Sequence, residues 1–289
     1  MRNFTFKGLF LAAMFMVLGS LAIQAADNGL ITRQVTVKVY EAGTLSEKIA
    51  YNKMYKITNL KIIGEINGTD LRVIREMAGN AFGHDTDGKL SVLDLSDAKI
   101  VKGGDFYYEA DLEYNGTHEY ECYYTSNDKI GDYAFFRCSG LTSLTLPSGV
   151  TEIGSRAFSG CSGLTSLTLP SSLTSIGDRA FRGCSGLTSI YVYTEKLPSI
   201  GSDVFYGCNA KKCTVYVPKG TYDYYWLSEF SYFENIVEFE ATGINNVITS
   251  NDAKELSRYS VNGQRLSAPT KGLNLVKYSD GSVKKVAVQ

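Results

Sequence analysis

This chain contains few histidines and prolines, and its positive and negative charges nearly cancel. These features limit the kinds of protein that it can be. The 289 residues include two histidines and five prolines, and the formal net charge is −1. Without a basic excess, the chain lacks a charge-driven affinity for a nucleic-acid backbone. With no Ser–His–Asp set, no phosphate loop and no C-x-x-C pair, the sequence predicts a non-catalytic protein that holds no cofactor or metal.

The residues that are abundant suit strands and tight turns. Hydrophobic residues make up 44% of the chain, which also has 28 glycines and 20 tyrosines. A disordered chain would be poorer in apolar residues and would carry more net charge. The composition therefore predicts a folded protein in which strands and turns outweigh long helices.

The first 25 residues have the organisation of a secretory signal peptide. Arg2 and Lys7 precede an apolar run over residues 9–23, and Ala25 supplies a small residue for cleavage. The run is short for a membrane span and no other segment could cross a bilayer, so no transmembrane segment is expected. The chain is predicted to be exported to the cell surface or the extracellular space, with the periplasm as the remaining compartment.

Between residues 130 and 218 the sequence repeats itself. The copies begin at Ile130, Ile153, Ile176 and Ile200, which are 23, 23 and 24 residues apart. They share isoleucine, glycine, phenylalanine and cysteine at matched places, and most continue as LTSLTLP or a close variant. A period of this length with an L-x-x-L-x-L core is typical of a leucine-rich-repeat solenoid.

Each repeat has two apolar sides. The leucines of the LTSLTLP part alternate, as in a short strand whose leucines point inward. On the other side, Ala157, Phe158 and Cys161 are spaced for a short helical turn laid over the leucine layer. The matched cysteines Cys138, Cys161, Cys184 and Cys208 should be buried free thiols, because matched side chains on stacked coils run parallel, whereas a disulfide needs side chains directed toward each other.

Weaker copies and aromatic segments extend the array in both directions. Parallel strands are predicted near residues 57–62, 90–95, 141–146, 164–169, 187–192 and 214–217. Each end of the array exposes an apolar layer and needs a cap. The strand-like segment 32–40 is the candidate N-terminal cap, and the aromatic segment 222–239 is the C-terminal one, in which Trp226 is predicted to cover the last coil.

The IGxxAFxxCxxLTSLTLP repeat resembles the BspA-like leucine-rich repeats of bacterial surface proteins. The segments TNLKIIGEINGTDLRVIREMAG and KLSVLDLSDAKI look like the N-terminal region of that group, and CTVYVPKGTYDYYW looks like its array end. The resemblance covers roughly residues 30–240. It implies a secreted or surface-exposed protein whose solenoid binds other macromolecules, since members have been linked to host matrix proteins and to attachment, and it implies no catalytic site.

Residues 103–129 interrupt the repeat. The leucine cores at Leu90 and Leu141 are 51 residues apart, which is about 28 more than one period. The extra chain is rich in tyrosine and carboxylates, and Asn115-Gly116 is a hairpin-turn signal inside it. Tyrosine gives a large contact area at low entropic cost, and insertions in solenoids often map to the binding side. The alternative is a hairpin that folds back and covers its own coil.

The insert supplies the predicted contact residues for a partner with basic or polar patches. They are Tyr107, Tyr108, Glu113, Tyr114, Glu119 and Tyr120. Tyrosine rings would supply contact energy, and carboxylates would mainly speed and orient the encounter.

The C-terminal stretch resembles the short β tails on exported proteins of Bacteroides-type bacteria, some of which are sorting signals. Asn262-Gly263 and Asp280-Gly281 are hairpin-turn signals between alternating segments. From Ala241 the tail is 49 residues long, which is short for a full secretion domain. A small β module after a polar linker is the alternative interpretation.

The predicted fold is a leucine-rich-repeat solenoid of the α/β class, with short parallel strands and short helical turns, capped at both ends and followed by a small C-terminal β tail. The predicted organisation is a signal peptide (1–25), an N-terminal cap (26–56), the solenoid (57–218) with its insert (103–129), a C-terminal cap (219–240), a linker (241–257) and the tail (258–289). Two functions remain. The first is adhesion or binding to an unidentified protein, host matrix proteins included, by a monomer. The alternative is glycan capture through exposed aromatic residues.

Overall fold

A computed structural model describes residues 29–114, 117–239, 255–260, 265–266, 272–278 and 283–288. The chain divides into two compact units, Met1–Ala241 and Thr242–Gln289. The predicted signal peptide and most of the predicted linker lie outside the described residues.

The larger unit contains sixteen strands and four short α-helices among its described residues. The strands are β1 (Val35–Val39), β2 (Asn59–Ile66), β3 (Asn80–Ala81), β4 (His84–Asp85), β5 (Val92–Ile100), β6 (Gly103–Tyr114), β7 (Thr117–Thr125), β8 (Lys129–Ile130), β9 (Ser143–Thr145), β10 (Glu152–Ile153), β11 (Ser166–Leu169), β12 (Ser175–Ile176), β13 (Ser189–Val192), β14 (Ser199–Ile200), β15 (Thr214–Pro218) and β16 (Asn235–Phe239). The helices are α1 (Leu45–Lys48), α2 (Tyr51–Met54), α3 (Gly68–Met77) and α4 (Tyr222–Trp226), and a 3₁₀ helix covers Glu229–Tyr232.

One parallel sheet organises this unit. Its eight strands lie in the order β1-β2-β5-β9-β11-β13-β15-β16. Each of the six predicted strand regions contributes a strand, and β1 and β16 from the two end segments extend the sheet further. Repeat positions face each other in register, as Leu93 does with Leu144 and Ile190 with Val215. The stacked parallel strands confirm the predicted fold class.

The opposite side of the coils is built from consecutive tight turns. A second parallel sheet, β14-β12-β10-β8, pairs two residues per coil. Beyond it, each coil donates N–H groups to the next: Phe135 to the carbonyl of Ala157 (2.6 Å) and Phe158 to that of Ala180 (2.8 Å). A Cβ on Gly154 would overlap the backbone of Asp132, so glycine is what lets neighbouring coils approach this closely.

Phenylalanine rings fill the space between the two sheets. Phe135, Phe158, Phe181 and Phe205 form a stack with centroids 5.2–5.8 Å apart and ring planes within 9°. At the C-terminal end Phe205 packs against Phe230 and Phe233, both of which are fully buried. The segment following the last repeat thus continues the aromatic core and closes it.

The prediction that Trp226 covers the last coil is wrong. Its side chain is 45% exposed, whereas the neighbouring Tyr225 is fully buried and donates its hydroxyl to the carbonyl of Thr194 (2.8 Å). A one-residue step turns a helical side chain by about 100°, so the phase of α4 directs Tyr225 to the core and Trp226 outward.

The matched cysteines are buried and free, as predicted. None of the six cysteines forms a disulfide. The thiol of Cys161 donates to the carbonyl of Phe135 (3.1 Å), and those of Cys184 and Cys208 make the same bond one and two coils later. Burial raises the pKa of Cys138 to about 11 and that of Cys208 to about 12.

The second unit is described by its strands alone. These are β17 (Glu255–Ser260), β18 (Arg265–Leu266), β19 (Gly272–Tyr278) and β20 (Val283–Val288), in the order β18-β17-β19-β20. All pairings are antiparallel. The predicted tail is therefore a small β-sheet, and its two turn signals lie outside the described residues.

Truncation of one ring in the phenylalanine stack should destabilise the solenoid strongly. We expect Phe158→Ala to lower the free energy of unfolding by about 3–5 kcal/mol, the usual cost of removing a core phenylalanine. Denaturant unfolding measures the change. Tyr40→Ala is the control, because Tyr40 is 85% exposed. Equal stability of the two variants would mean that Phe158 is not a core residue.

The buried thiols should be inert in the folded protein. We expect thiol titration at mildly alkaline pH to modify the half-buried Cys122 first, and the five buried cysteines after denaturation. Because folding raises the pKa of Cys138 to about 11, its contribution to stability is complete below the unfolded value and is lost as the pH rises through the folded one. Stability should thus fall above about pH 9. Five fast thiols in the native protein would contradict this core.

Candidate functional site

The insert forms an antiparallel hairpin of β6 and β7. Its pairing runs from Gly103 opposite Thr125 to Tyr114 opposite Thr117. It follows β5 directly, and β8 opens the first repeat coil after it. The predicted hairpin is thus present, with its Asn115-Gly116 turn outside the described residues.

The first repeat coil has carbonyl groups that need donors from outside the array. In the second coil, the carbonyls of Ser155, Ala157 and Ser159 accept N–H bonds from the coil before it. The matched positions in the first coil are Asp132, Ala134 and Phe136. Helix α3 lies where a preceding coil would lie. The N–H groups of α3 are largely used within the helix, so they do not form the hydrogen bonds that a preceding coil would make.

Arg75 and Tyr107 supply those donors. Arg75, 1% exposed, donates through Nη1 to the carbonyl of Ala134 (2.9 Å) and through Nη2 to that of Phe136 (3.3 Å). Its Nη1 also lies 2.8 Å from the Tyr133 carbonyl. The Tyr107 hydroxyl donates to the carbonyl of Asp132 (2.7 Å). One side chain from α3 and one from the hairpin therefore replace the missing coil.

Tyr108 fixes the hairpin to the same place. Its ring stacks on Tyr133 with centroids 5.1 Å apart, and the Arg75 guanidinium lies 4.7 Å from its centroid. Burial raises the pKa of both Tyr107 and Tyr108, which keeps the two hydroxyls protonated across the physiological range.

The structure separates the six predicted contact residues. Tyr107 and Tyr108 are 1% and 6% exposed, so the expectation that they lie on a contact surface needs correction: they pack the base of the hairpin. Glu119 and Tyr120 are exposed, Tyr120 by 63%. The side chains of Glu113 and Tyr114 lie outside the described part of the chain. Whether any of these residues binds a partner stays a prediction.

A groove that sequence reasoning missed lies beside the hairpin. It has a volume of about 370 Å³ and is open to solvent. Hairpin residues and the turns of the first three coils line it. The lining residues are Tyr108, Ala110, Asp111, Tyr133, Phe136, Arg156, Ser159, Arg179 and Arg182. The sequence signal for this groove is that Arg156 and Arg179 occupy the same repeat position in two successive coils.

Arginine dominates the charge of this groove. Asp203 lies 3.4 Å from Arg179 Nε and 3.9 Å from Arg182 Nη1. Arg156 donates to the Tyr133 hydroxyl. The one carboxylate among the lining residues, Asp111, is paired with His118 Nδ1 at 2.9 Å. Among the described residues no group of His, Cys, Asp and Glu side chains could hold a metal ion.

On the outer side of the large sheet, the threonine hydroxyls are already used in hydrogen bonds between coils. The hydroxyls of Thr142, Thr165 and Thr188 each donate to a carbonyl of the preceding coil, at 3.0 Å in every case. Those threonines therefore reinforce the stacking. At the C-terminal end of this face, Tyr191 and Tyr216 stack with centroids 4.6 Å apart.

The repeats also match a known family model. Residues 123–229 match the BspA type leucine rich repeat region in six copies. The repeats in this part of the chain are thus similar to those of that family. The match confirms the resemblance that the repeat motif indicated, and it begins inside the hairpin and ends inside the C-terminal aromatic segment.

Other comparisons add little to the BspA-type assignment. No curated protein sequence matches the chain. A crystal structure of a leucine-rich repeat protein from Bacteroides ovatus ATCC 8483 is 24% identical, with a TM-score of 0.36. The match covers 65% of this chain and 44% of that one, and such a TM-score supports no further conclusion. No helix among the described residues is long and apolar enough to cross a membrane.

Removing the Arg75 guanidinium should destabilise the start of the BspA-type region. We expect Arg75→Leu to lower the free energy of unfolding by about 3 kcal/mol or more, because carbonyls of the first coil lose charged donors. Arg72→Leu is the matched control on the same helix. Arg72 forms a partly exposed pair with Asp105, and its loss should cost less than about 1 kcal/mol. Equal losses in denaturant unfolding would show that Arg75 does not cap the array.

Proposed function

We propose that this protein is an exported, non-catalytic binding protein that presents the outer half of its hairpin to a protein partner at the cell surface. The observation that carries the proposal is the division of the hairpin into two halves. At the buried base, Tyr107 donates a hydrogen bond to the first coil and Tyr108 stacks on Tyr133 of that coil. The outer half continues for several paired residues beyond what that packing uses.

The outer half has the composition of a contact surface. Tyr120 is 63% exposed, and its neighbours Glu119 and Glu121 on the same strand are exposed as well. An exposed tyrosine gives a large contact area with few rotatable bonds. Carboxylates around it steer a partner that carries basic patches. Host matrix proteins are the partners that the family resemblance favours.

Glycan capture is the alternative, and a different surface supports it. Tyr222 and Trp226 on α4 stack nearly parallel, with centroids 6.1 Å apart and planes 8° apart. Trp226 is 45% exposed and Tyr224, on the same helix, is 63% exposed. Flat aromatic side chains with a polar edge suit the mixed apolar and hydroxylated faces of a sugar.

Export and the role of the tail belong to the same proposal. The signal-peptide pattern at residues 1–25 supports export, and the small antiparallel sheet of the second unit fits either a sorting signal or an independent β module. A reporter protein fused to residues 242–289 and expressed in the native host would distinguish these, since retention at the surface requires sorting.

Truncating the outer half of the hairpin should abolish partner binding without unfolding the protein. Ala110 pairs with Glu121, so residues 111–120 can be replaced by an Asn-Gly turn that joins the two strands in register. Binding is measured on immobilised matrix proteins and on a polysaccharide panel. We expect loss of matrix-protein binding with an unchanged melting temperature, because Tyr107 and Tyr108 remain.

Two controls separate the alternatives. Tyr40→Ala removes an exposed tyrosine outside the hairpin and should leave binding unchanged. Trp226→Ala tests the aromatic pair on α4. Binding to glycans alone, lost in Trp226→Ala and kept after hairpin truncation, would refute the adhesion proposal and establish the glycan one.

A further inference from the structure

The three arginines Arg156, Arg179 and Arg182 line one side of the groove beside the hairpin, which we call the arginine groove. We propose that the arginine groove binds carboxylate side chains of an acidic protein segment. This inference deepens the proposed function, on which it rests, by naming the chemistry of a second contact region. It depends on four features of the described residues.

First, the fold does not require arginine at these places. Arg156 and Arg179 occupy the repeat position that is Tyr133 in the first coil and Asp203 in the fourth. All four residues have left-handed backbone angles, with φ between 53° and 56°. Glycine or asparagine would adopt that conformation at lower cost. The coil accepts a phenol, a guanidinium or a carboxylate there, so stacking alone does not explain the arginines.

Second, the guanidinium groups have donors to spare. Each guanidinium carries five N–H groups in a planar fork that matches a carboxylate. Arg179 and Arg182 share the single carboxylate of Asp203, and Arg156 bonds to a phenol. The side chains of Arg179 and Arg182 are 41% and 42% exposed, so the remaining donors are open to solvent and to a ligand.

Third, Asp203 shows how a carboxylate can pair with these arginines. It lies one coil beyond Arg179, and its Oδ2 atom reaches both Arg179 and Arg182. Arg156 lies one coil before Arg179, at the parallel strand spacing of about 4.8 Å. An incoming carboxylate between Arg156 and Arg179 would repeat that pairing one coil earlier. A guanidinium can also direct two parallel N–H groups at one carboxylate, and this bidentate geometry adds specificity to the attraction.

Fourth, the groove is poorly suited to stacking on sugar rings. The Tyr133 ring has Tyr108 stacked at 5.1 Å and the Arg156 guanidinium at 5.4 Å. Phe136 in turn has the Arg137 guanidinium 5.3 Å from its centroid. With the aromatic faces occupied, the polar groups that the groove presents are mainly N–H donors of its arginines, and that favours carboxylates on a protein segment over an uncharged glycan.

The test is binding of a fluorescent oligoglutamate peptide, followed by anisotropy at low ionic strength, with dextran sulfate in a parallel arm. The double variant Arg156→Gln/Arg179→Gln should bind the peptide at least about tenfold more weakly, the loss expected when charged hydrogen bonds are removed. Arg33→Gln/Lys38→Gln is the control with the same net charge, since both residues are exposed and lie outside the groove. It should bind as the parent does.

Further variants keep the test decisive. Arg156→Lys/Arg179→Lys retains charge without the planar fork, and it should still lose several-fold in affinity, even if the glutamine variant melts early. The hairpin-truncated protein keeps all three arginines and loses Asp111, so it should bind the peptide at least as tightly as the parent. A failure of the hairpin proposal is therefore distinguishable from a failure of this one.

Three outcomes would overturn the proposal. Peptide binding that is equal in the parent and the double glutamine variant would show that the groove is not the site. Binding of dextran sulfate without the peptide would assign the groove to a sulfated glycan instead. Equal weakening in the Arg33/Lys38 control would reduce the effect to overall net charge.

Discussion

The structure depends on how the ladder of backbone hydrogen bonds begins. Each of the first three repeat coils donates N–H groups to the coil after it, and the first coil has carbonyls that no preceding coil can serve. Buried carbonyls without donors are costly. Arg75 from a helix and Tyr107 from the hairpin donate to the carbonyls of Asp132, Ala134 and Phe136, where a coil would otherwise donate. A guanidinium suits this place because its several donors lie in one plane.

This arrangement assigns the base of the hairpin the structural role that the sequence left as one of two alternatives. Its base is a cap, since Tyr107 and Tyr108 belong to the core of the first coil. Its outer half takes no part in this cap, because Tyr120 and the residues beside it on the strand are exposed. A rigid base under an exposed tip lowers the ordering cost of binding, since the contact residues are already held on paired strands. The structural cover is thus the base of the hairpin, and the proposed contact surface is the outer half of the same element.

Much of the fold could be predicted because each repeat carries its own evidence. The leucine, phenylalanine and cysteine positions recur, so periodicity alone assigned them to the core, and the structure confirms them. The contacts of Arg75 could not be predicted in this way, because they join residues up to 61 positions apart and occur once. The prediction for Trp226 was wrong for a local reason. Composition indicates that an aromatic residue closes the core, but only the phase of α4 decides that this residue is Tyr225. The prediction that Tyr107 and Tyr108 lie on a contact surface was wrong because the sequence of a tyrosine-rich insert does not show whether its rings pack against the core or face solvent.

The repeats supply an internal comparison that separates packing from binding in this chain. Positions filled identically in the four coils, such as the isoleucine and the cysteine, point into the core. A position whose residue differs between coils, the one filled by Tyr133, Arg156, Arg179 and Asp203, lies on the turns and lines or borders the groove. A solenoid coil keeps its backbone bonds whatever stands at such a position, so these places are free to acquire contacts. The contacts proposed for the arginine groove therefore fall at a position where the repeats differ, whereas the positions that the repeats share serve the core.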